Sequence, residues 1–389
     1  MDRVRYWLGF NRTPGIGPAR LRALIQRFGN VEDAWKASPS DLRAAGLDQR
    51  TLASLLATRQ SCDLDAELRA VERAGAHIIL FEDPAYPAAL RSLPDPPPLL
   101  YVKGSLLEAD SRALAVVGTR TATEYGKTMT ARIVEPLARA GLVIVSGLAH
   151  GIDAVAHRSA LRAGGRTLAV FACGIDRLYP PDSTDLAAAI TASGALISEL
   201  PLGTPPGRLN FPARNRIISG LALGVLVVEA GAKSGALITA DQALDQGRDV
   251  FAVPGNVLSP VSAGTNALIR AGAIPVEKAA DILEALRVPY AAPASAPTST
   301  GVALPTGVPP RQADAASPTM PLPAVTDPVE VALLRALGAG PSHVNDLAHA
   351  CDLPIGQISS TLTILELKGL VRQAGVLTYS LADAFGPEQ

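Results

Sequence analysis

The chain has 389 residues, 48% of them hydrophobic and only 4% aromatic, with a formal net charge of −1. That length supports two or three domains, each with a core built from aliphatic side chains. The balance of 35 Lys and Arg against 36 Asp and Glu excludes a protein that coats nucleic acid by bulk charge, so any nucleic-acid site has to be a local basic pocket.

Residues 1–75 read as all-helical. The segment Thr13-Pro14-Gly15-Ile16-Gly17-Pro18 precedes ARLRALIQRFG, and Leu21, Leu24, Ile25 and Phe28 follow at helical spacing. This resembles a helix-hairpin-helix, whose Gly-x-Gly turn offers N–H groups to a phosphate. The same pattern fits an αα-hairpin with no ligand. A second helical pair is predicted in 40–57. Short strands are predicted at 76–81 and 99–102, and the proline-rich YPAALRSLPDPPP between them is predicted to be irregular.

From 112 to 288 strands and helices alternate. Strands are predicted at 114–117, 142–145, 167–171, 195–198, 225–229, 249–253 and 273–276. Helices are predicted at 124–139, 152–163, 184–192, 215–222, 236–246 and 265–271. The strands are continuous apolar runs, as in a parallel sheet covered on both faces. The fold class is therefore α/β, a Rossmann-like doubly wound and mainly parallel sheet. Right-handed crossovers then bring every strand-to-helix loop to one edge. Nine prolines between Pro289 and Pro323 mark 289–326 as a disordered linker. Residues 327–389 read as three helices (329–337, 344–350, 355–368) and a hairpin, a winged helix. Its candidate recognition helix has only Lys368 as a base. The module sets Arg335, Lys368 and Arg372 against seven acids, including Asp327, Glu330 and Glu366. That balance disfavours binding by phosphate neutralisation, and protein contact or regulation is the role expected of it.

The loops of the Rossmann-like part carry the chemistry. Tyr125-Gly126-Lys127-Thr128 imitates the end of a phosphate-binding P-loop, but the glycine that motif requires falls at Thr121. The dinucleotide fingerprint is also absent after the first strand, so neither ATPase chemistry nor an NAD cofactor is expected. What remains is a set of residues predicted to meet on one edge. Gly118-Thr119-Arg120 follows the first strand and Ser146-Gly147 the second. Asn210-Phe211-Pro212-Ala213-Arg214-Asn215-Arg216 is placed before a helix, so that its N–H groups hold a phosphate beside two guanidiniums. Lys233 belongs to the loop Ala230–Ala236. Arg120, Arg214, Arg216 and Lys233 thus supply charge, while Phe211 and Tyr125 are placed to stack on bases. His150, Asp153 and His157 lack further ligands at metal-site spacing and are assigned to helix-end packing. Glu199 and Glu229 end strands and are assigned the positioning of a backbone or an arginine.

These residues also carry a family resemblance. VGTR at 117–120, SGLAHGID at 146–153, Ala156-His157, FPARNR at 211–216, VVEA followed by SGALITA at 234–240, and FAVPG at 251–255 occur in that order. They resemble the DNA-processing protein A family, also called DprA or Smf, over about residues 76–288. The resemblance implies single-stranded DNA binding, protection of that DNA, and loading of the recombinase RecA during natural transformation. It implies a homodimer through the Rossmann-like domain and no enzymatic activity. Carried onto this sequence, the DNA-binding candidates are Gly118, Arg120, Ser146, Gly147, Phe211, Arg214, Asn215, Arg216 and Lys233.

A rival reading is a nucleoside-monophosphate phosphoribohydrolase of the lysine-decarboxylase-like group. Its PGGxGTxxE loop is replaced here by Pro254-Gly255-Asn256. A transcription factor driven by the winged tail is a third reading, weakened by the acidity of that module. No membrane-spanning run and no signal peptide are predicted. Cys62, Cys173 and Cys351 make no disulfide framework, which fits a cytoplasmic protein.

Overall fold

The structure is a computed structural model. It describes residues 3–288 and 327–381, except 339, 341, 352, 369, 376 and 377. The proline-rich stretch expected to be a linker, 289–326, lies outside them. The chain divides into two compact units, Met1–Thr300 and Gly301–Gln389.

The first unit begins with six helices, Val4–Arg12, Pro18–Phe28, Val31–Lys36, Pro39–Ala44, Gln49–Ser61 and Leu64–Arg73. Side chains that satisfy orphan N–H groups set their starts. Asn30, Ser38, Asp48 and Asp63 each accept from an N–H of the following turn. Pro18 opens its helix where no donor is needed.

A nine-stranded sheet follows: β1 His77–Leu80, β2 Leu99–Gly104, β3 Ala113–Val117, β4 Val143–Ser146, β5 Thr167–Val170, β6 Ala195–Ser198, β7 Gly224–Val227, β8 Asp249–Ala252 and β9 Ile274–Pro275. Its spatial order is β1-β2-β6-β5-β4-β3-β7-β8-β9. Strands β3 to β9 run parallel, and β1 and β2 are added antiparallel at one side. The strand order reverses between β3 and β7, the switch point of a doubly wound sheet.

The strands alternate between the two faces of the sheet. Leu114 and Val116 of β3 pack with Ile133, Val134 and Leu137 of the helix Glu124–Arg139. Ala113, Ala115 and Val117 pack with Ile217 and Ile218 of Asn210–Gly220 and with Ala240 of Gly235–Asp245. Two expectations are corrected. The proline-rich segment after β1 contains a short helix, Ala88–Arg91. The helix expected at 215–222 starts five residues earlier, at Asn210. Pro212 stands in its first turn, where N–H groups have no intrahelical partner, so proline forfeits nothing there.

The helical N-terminus shares its core with the sheet. Trp7, Phe10, Leu21 and Leu24 form one buried cluster with Leu80, Leu99, Tyr101, Phe171, Ile190 and Leu196. The Tyr101 hydroxyl donates to Asn11 Oδ1 at 3.1 Å, and Asn11 Nδ2 donates to the Glu199 carbonyl at 3.1 Å.

In the second unit the helices Pro328–Leu337, Val344–Cys351 and Ile355–Leu367 pack with β10 Ser342–His343, β11 Val371–Gly375 and β12 Thr378–Leu381, the strands ordered β10-β12-β11. Leu333, Leu337, Leu347, Ile358, Leu362 and Leu365 form its core. Lys368 is held by Glu330 of the first helix at 2.6 Å. The one base of the candidate recognition helix is thereby neutralised inside the module.

Because the N-terminal helices cover a face of the sheet, a fragment of residues 76–288 is expected to bind a hydrophobic dye and to aggregate. A fragment of 1–288 is expected to unfold in one cooperative step. Calorimetry and dye fluorescence on the two fragments check this.

Candidate functional site

A cavity of about 230 Å³ opens at the switch point, beyond the carboxyl ends of β3 and β7. It is lined by Gly118, Thr119 and Arg120 after β3, Ala149 and Asp153 after β4, Phe211, Arg214, Asn215 and Ile218 of Asn210–Gly220, and Ser234, Gly235, Ala236 and Thr239 after β7. Local sequence sets each wall. Gly151 adopts φ +75°, and a Cβ there would lie 2.2 Å from the Thr119 carbonyl oxygen, so only glycine lets these two loops meet. Ile152 N donates to that carbonyl at 3.1 Å. Ser234 caps the helix Gly235–Asp245, whose first turn faces the cavity with the partial positive charge of a helix start.

Arg214 is buried beneath this surface, with 6% of its area exposed. Its Nη1 donates to the Gly147 carbonyl at 2.9 Å and also to that of Val170, while Nε donates to Asn215 Oδ1 at 3.1 Å. A side chain at 147 would collide with the guanidinium, its Cβ standing 2.2 Å from Nη1. Burial lowers the pKa of Arg214 to about 10, partly offset by Asp153, so it stays charged at neutral pH. Asp153 accepts from the amides of Gly147 and Ala149 at 3.2 and 3.3 Å. Burial raises its carboxyl above the usual range, and the charge of Arg214 opposes the rise.

Arg120 is the exposed cation. Its guanidinium lies 4.9 Å from the centroid of the Phe211 ring, and Tyr179 lies 6.0 Å beyond Phe211. Among the described residues no carboxylate is within ion-pair distance of Arg120. A cation, two aromatic faces, backbone amides and a helix start suit an anion attached to a planar group.

The structure thus brings together Gly118, Arg120, Phe211, Arg214 and Asn215, with Gly147 directly behind Arg214. It separates the others. Ser146 is fully buried and donates to the Val116 carbonyl at 2.6 Å, bridging β3 and β4. Arg216 does not line the cavity. It pairs with Glu199, and its Nε lies 3.8 Å from Asp95. Placing 210–216 within a helix accounts for this, because residues two apart point to nearly opposite sides. Burial raises the Glu199 carboxyl above its usual range, against the pull of Arg216. Lys233 is exposed on the β7 loop, outside the cavity lining. Tyr125 does not join Phe211. Its hydroxyl donates to the Pro254 carbonyl at 2.6 Å, in a second cavity of about 530 Å³.

Sequence reasoning missed Tyr179. It lies in the loop after β5, on the edge where every parallel strand ends, and that topology was the available signal. His157 is fully buried, its Nδ1 2.7 Å from the Thr167 hydroxyl. That hydroxyl donates to the Ile144 carbonyl, so His157 Nδ1 carries the proton. Its Nε2 is buried without a partner among the described residues.

The fold and cavity define a class: a doubly wound Rossmann-like protein with N-terminal helices, a C-terminal winged-helix unit and a cationic cleft at its switch point. The family model for DNA recombination-mediator protein A matches residues 77–287. A DprA-like N-terminal HHH domain matches 2–62, and the DprA winged helix domain matches 315–375. The chain belongs to the DNA recombination-mediator protein A family, the DprA/Smf proteins. It is 35% identical to Protein Smf of Synechocystis, over 96% of this chain and 98% of that one. It is 42% identical to DNA processing protein DprA of Bacillus subtilis, over 65% and 88%. Among solved structures, DprA of Streptococcus pneumoniae matches at 34% identity and TM-score 0.64, covering 72% of this chain and 97% of that one. DprA of Helicobacter pylori, a structure reported for its single-stranded DNA binding mode, matches at 30% identity and TM-score 0.50, over 56% and 99%. No helix among the described residues is long and apolar enough to cross a membrane.

Two outcomes are expected. Arg214→Ala leaves two carbonyls and Asp153 without their partner in the interior, and should cost about 2–4 kcal/mol in chemical denaturation. Burial, reinforced by Arg214, holds His157 near a pKa of about 3. In the unfolded chain the imidazole takes up a proton near pH 6.5. The unfolded state therefore binds more protons between those values, and stability falls as pH drops through that window. Denaturation midpoints measured from pH 7 to 4 should fall less in His157→Gln than in the wild type.

Proposed function

We propose that the switch-point cavity binds single-stranded DNA, and that the protein uses this site as a recombination mediator. The observation that carries the reading is the arrangement of exposed Arg120 over Phe211, above buried Arg214 and beside the start of Gly235–Asp245. A phosphate meets the two guanidiniums and the helix amides, and a base unstacked from its neighbours lies on the aromatic faces. Gly118, Gly147 and Asn215 shape the pocket around that contact. Ser146 and Arg216 support it from the interior, and Lys233 is an outlying cation. The net charge of −1 fits a site of few phosphate contacts, hence moderate salt dependence. The single-stranded DNA binding reported for the Helicobacter pylori protein supports this assignment.

On this reading the protein acts in the cytoplasm without a catalytic step. It protects incoming single strands during natural transformation and loads RecA onto them, working as a homodimer through the Rossmann-like domain. The family's description as a recombination mediator supports the RecA step.

Arg120→Ala is expected to weaken oligo-dT binding about tenfold and to lower the salt slope by roughly 0.7, the loss of one single-strand phosphate contact. Its melting temperature should not change, because Arg120 is exposed. Anisotropy titrations across a salt series read both quantities. Unchanged affinity would remove the site assignment. Failure of the wild-type protein to speed RecA filament formation on the same strand would remove the mediator role.

A further inference from the structure

Glu229, just beyond the end of β7, is an ionisable group with 2% exposure that does not line the switch-point cavity. We infer that it is a positioning residue for DNA binding, setting Arg120 by gripping both ends of the segment that carries it. The inference rests on the reading of the cavity given above.

Three contacts form the grip. The backbone carbonyl of Glu229 accepts from Thr119 N at 2.7 Å. Its carboxylate accepts from Thr123 N at 2.9 Å and from the Thr123 hydroxyl. Arg120 lies between these two anchors. The Thr123 hydroxyl also accepts from Gly126 N at 3.2 Å, as the cap of Glu124–Arg139. One hydroxyl therefore ties the helix start to the end of β7. A Cβ at 126 would stand 2.1 Å from Glu229 Oε2, so glycine there makes room for the carboxylate.

Glu229 approaches from behind. With Thr123 and Tyr125 it lines the second cavity, of about 530 Å³, while Arg120 faces the first. A carboxylate placed near a phosphate site opposes binding through its charge. Geometry accounts for a carboxylate at this position. The segment from Thr119 to Thr123 is short and mostly polar, its one apolar side chain being the small, partly buried Ala122, and the grip removes conformations in which Arg120 swings off the Phe211 ring.

This gives the test a sign. By charge alone, Glu229→Ala tightens DNA binding; through lost positioning, it weakens it. In the full chain, oligo-dT affinity of Glu229→Ala should fall about tenfold, with the salt slope reduced as in Arg120→Ala. The double variant should bind no more weakly than Arg120→Ala, because both act through one contact. Glu229→Gln should recover part of the loss, since its amide oxygen still accepts from Thr123 N. Wild-type or tighter binding by a cooperatively unfolding Glu229→Ala would overturn the inference, as would additive losses in the double variant. If Glu229→Ala does not fold, Thr123→Val replaces it with the same outcomes. An Arg120→Ala variant that binds normally would overturn the cavity reading instead, which separates the two failures.

Discussion

The reversal of strand order between β3 and β7 is the constraint on which the rest of the molecule depends. Parallel pairing of Leu114–Val117 with Gly224–Val227 fixes the two strands side by side. Their crossover helices leave in opposite directions, so the loops beyond Val117 and Val227 diverge and open a cleft. Every residue of the candidate site is placed relative to that cleft. The start of the helix Gly235–Asp245 also lines it, which suits it to an anion.

Arg214 converts this backbone arrangement into a defined site. A buried guanidinium is costly unless its donors are used and its charge is compensated. Here it binds the carbonyls of Gly147 and Val170, and Asp153 balances it electrostatically. The same contacts fix the β4 loop against the helix Asn210–Gly220. Arg214 is therefore both a source of positive potential and part of the structural frame. Arg120, exposed and laid on Phe211, is the cation that is free to meet a ligand. The two arginines have different physical roles even though both line one cavity.

The helical N-terminus shares one hydrophobic core with the sheet. Tyr101, Leu99 and Phe171 need Trp7, Phe10 and Leu24 to exclude water from them. The winged-helix unit is chemically different. The one base of its candidate recognition helix, Lys368, is bound to Glu330, so that helix offers little positive charge for phosphate.

Much of this was legible in the sequence. Continuous apolar runs determined a parallel sheet, because strands covered on both faces have no polar face to display. Glycine-bearing loops after those runs located the edge, and the ordered motifs identified the family. Which residues share a pocket was decided only by tertiary structure. FPARNR reads as a segment placed before a helix, yet it folds as the first turns of one, where proline is tolerated. That shift sends Arg214 into the cavity and Arg216 to Glu199, since helical neighbours two apart diverge. Ser146 looks like a loop hydroxyl but ends inside β4. Tyr179 carries no local signal and reaches Phe211 only because β5 ends on the same edge. Sequence periodicity specifies which face of an element is apolar; it does not specify the rotation and register that bring polar side chains of distant elements together.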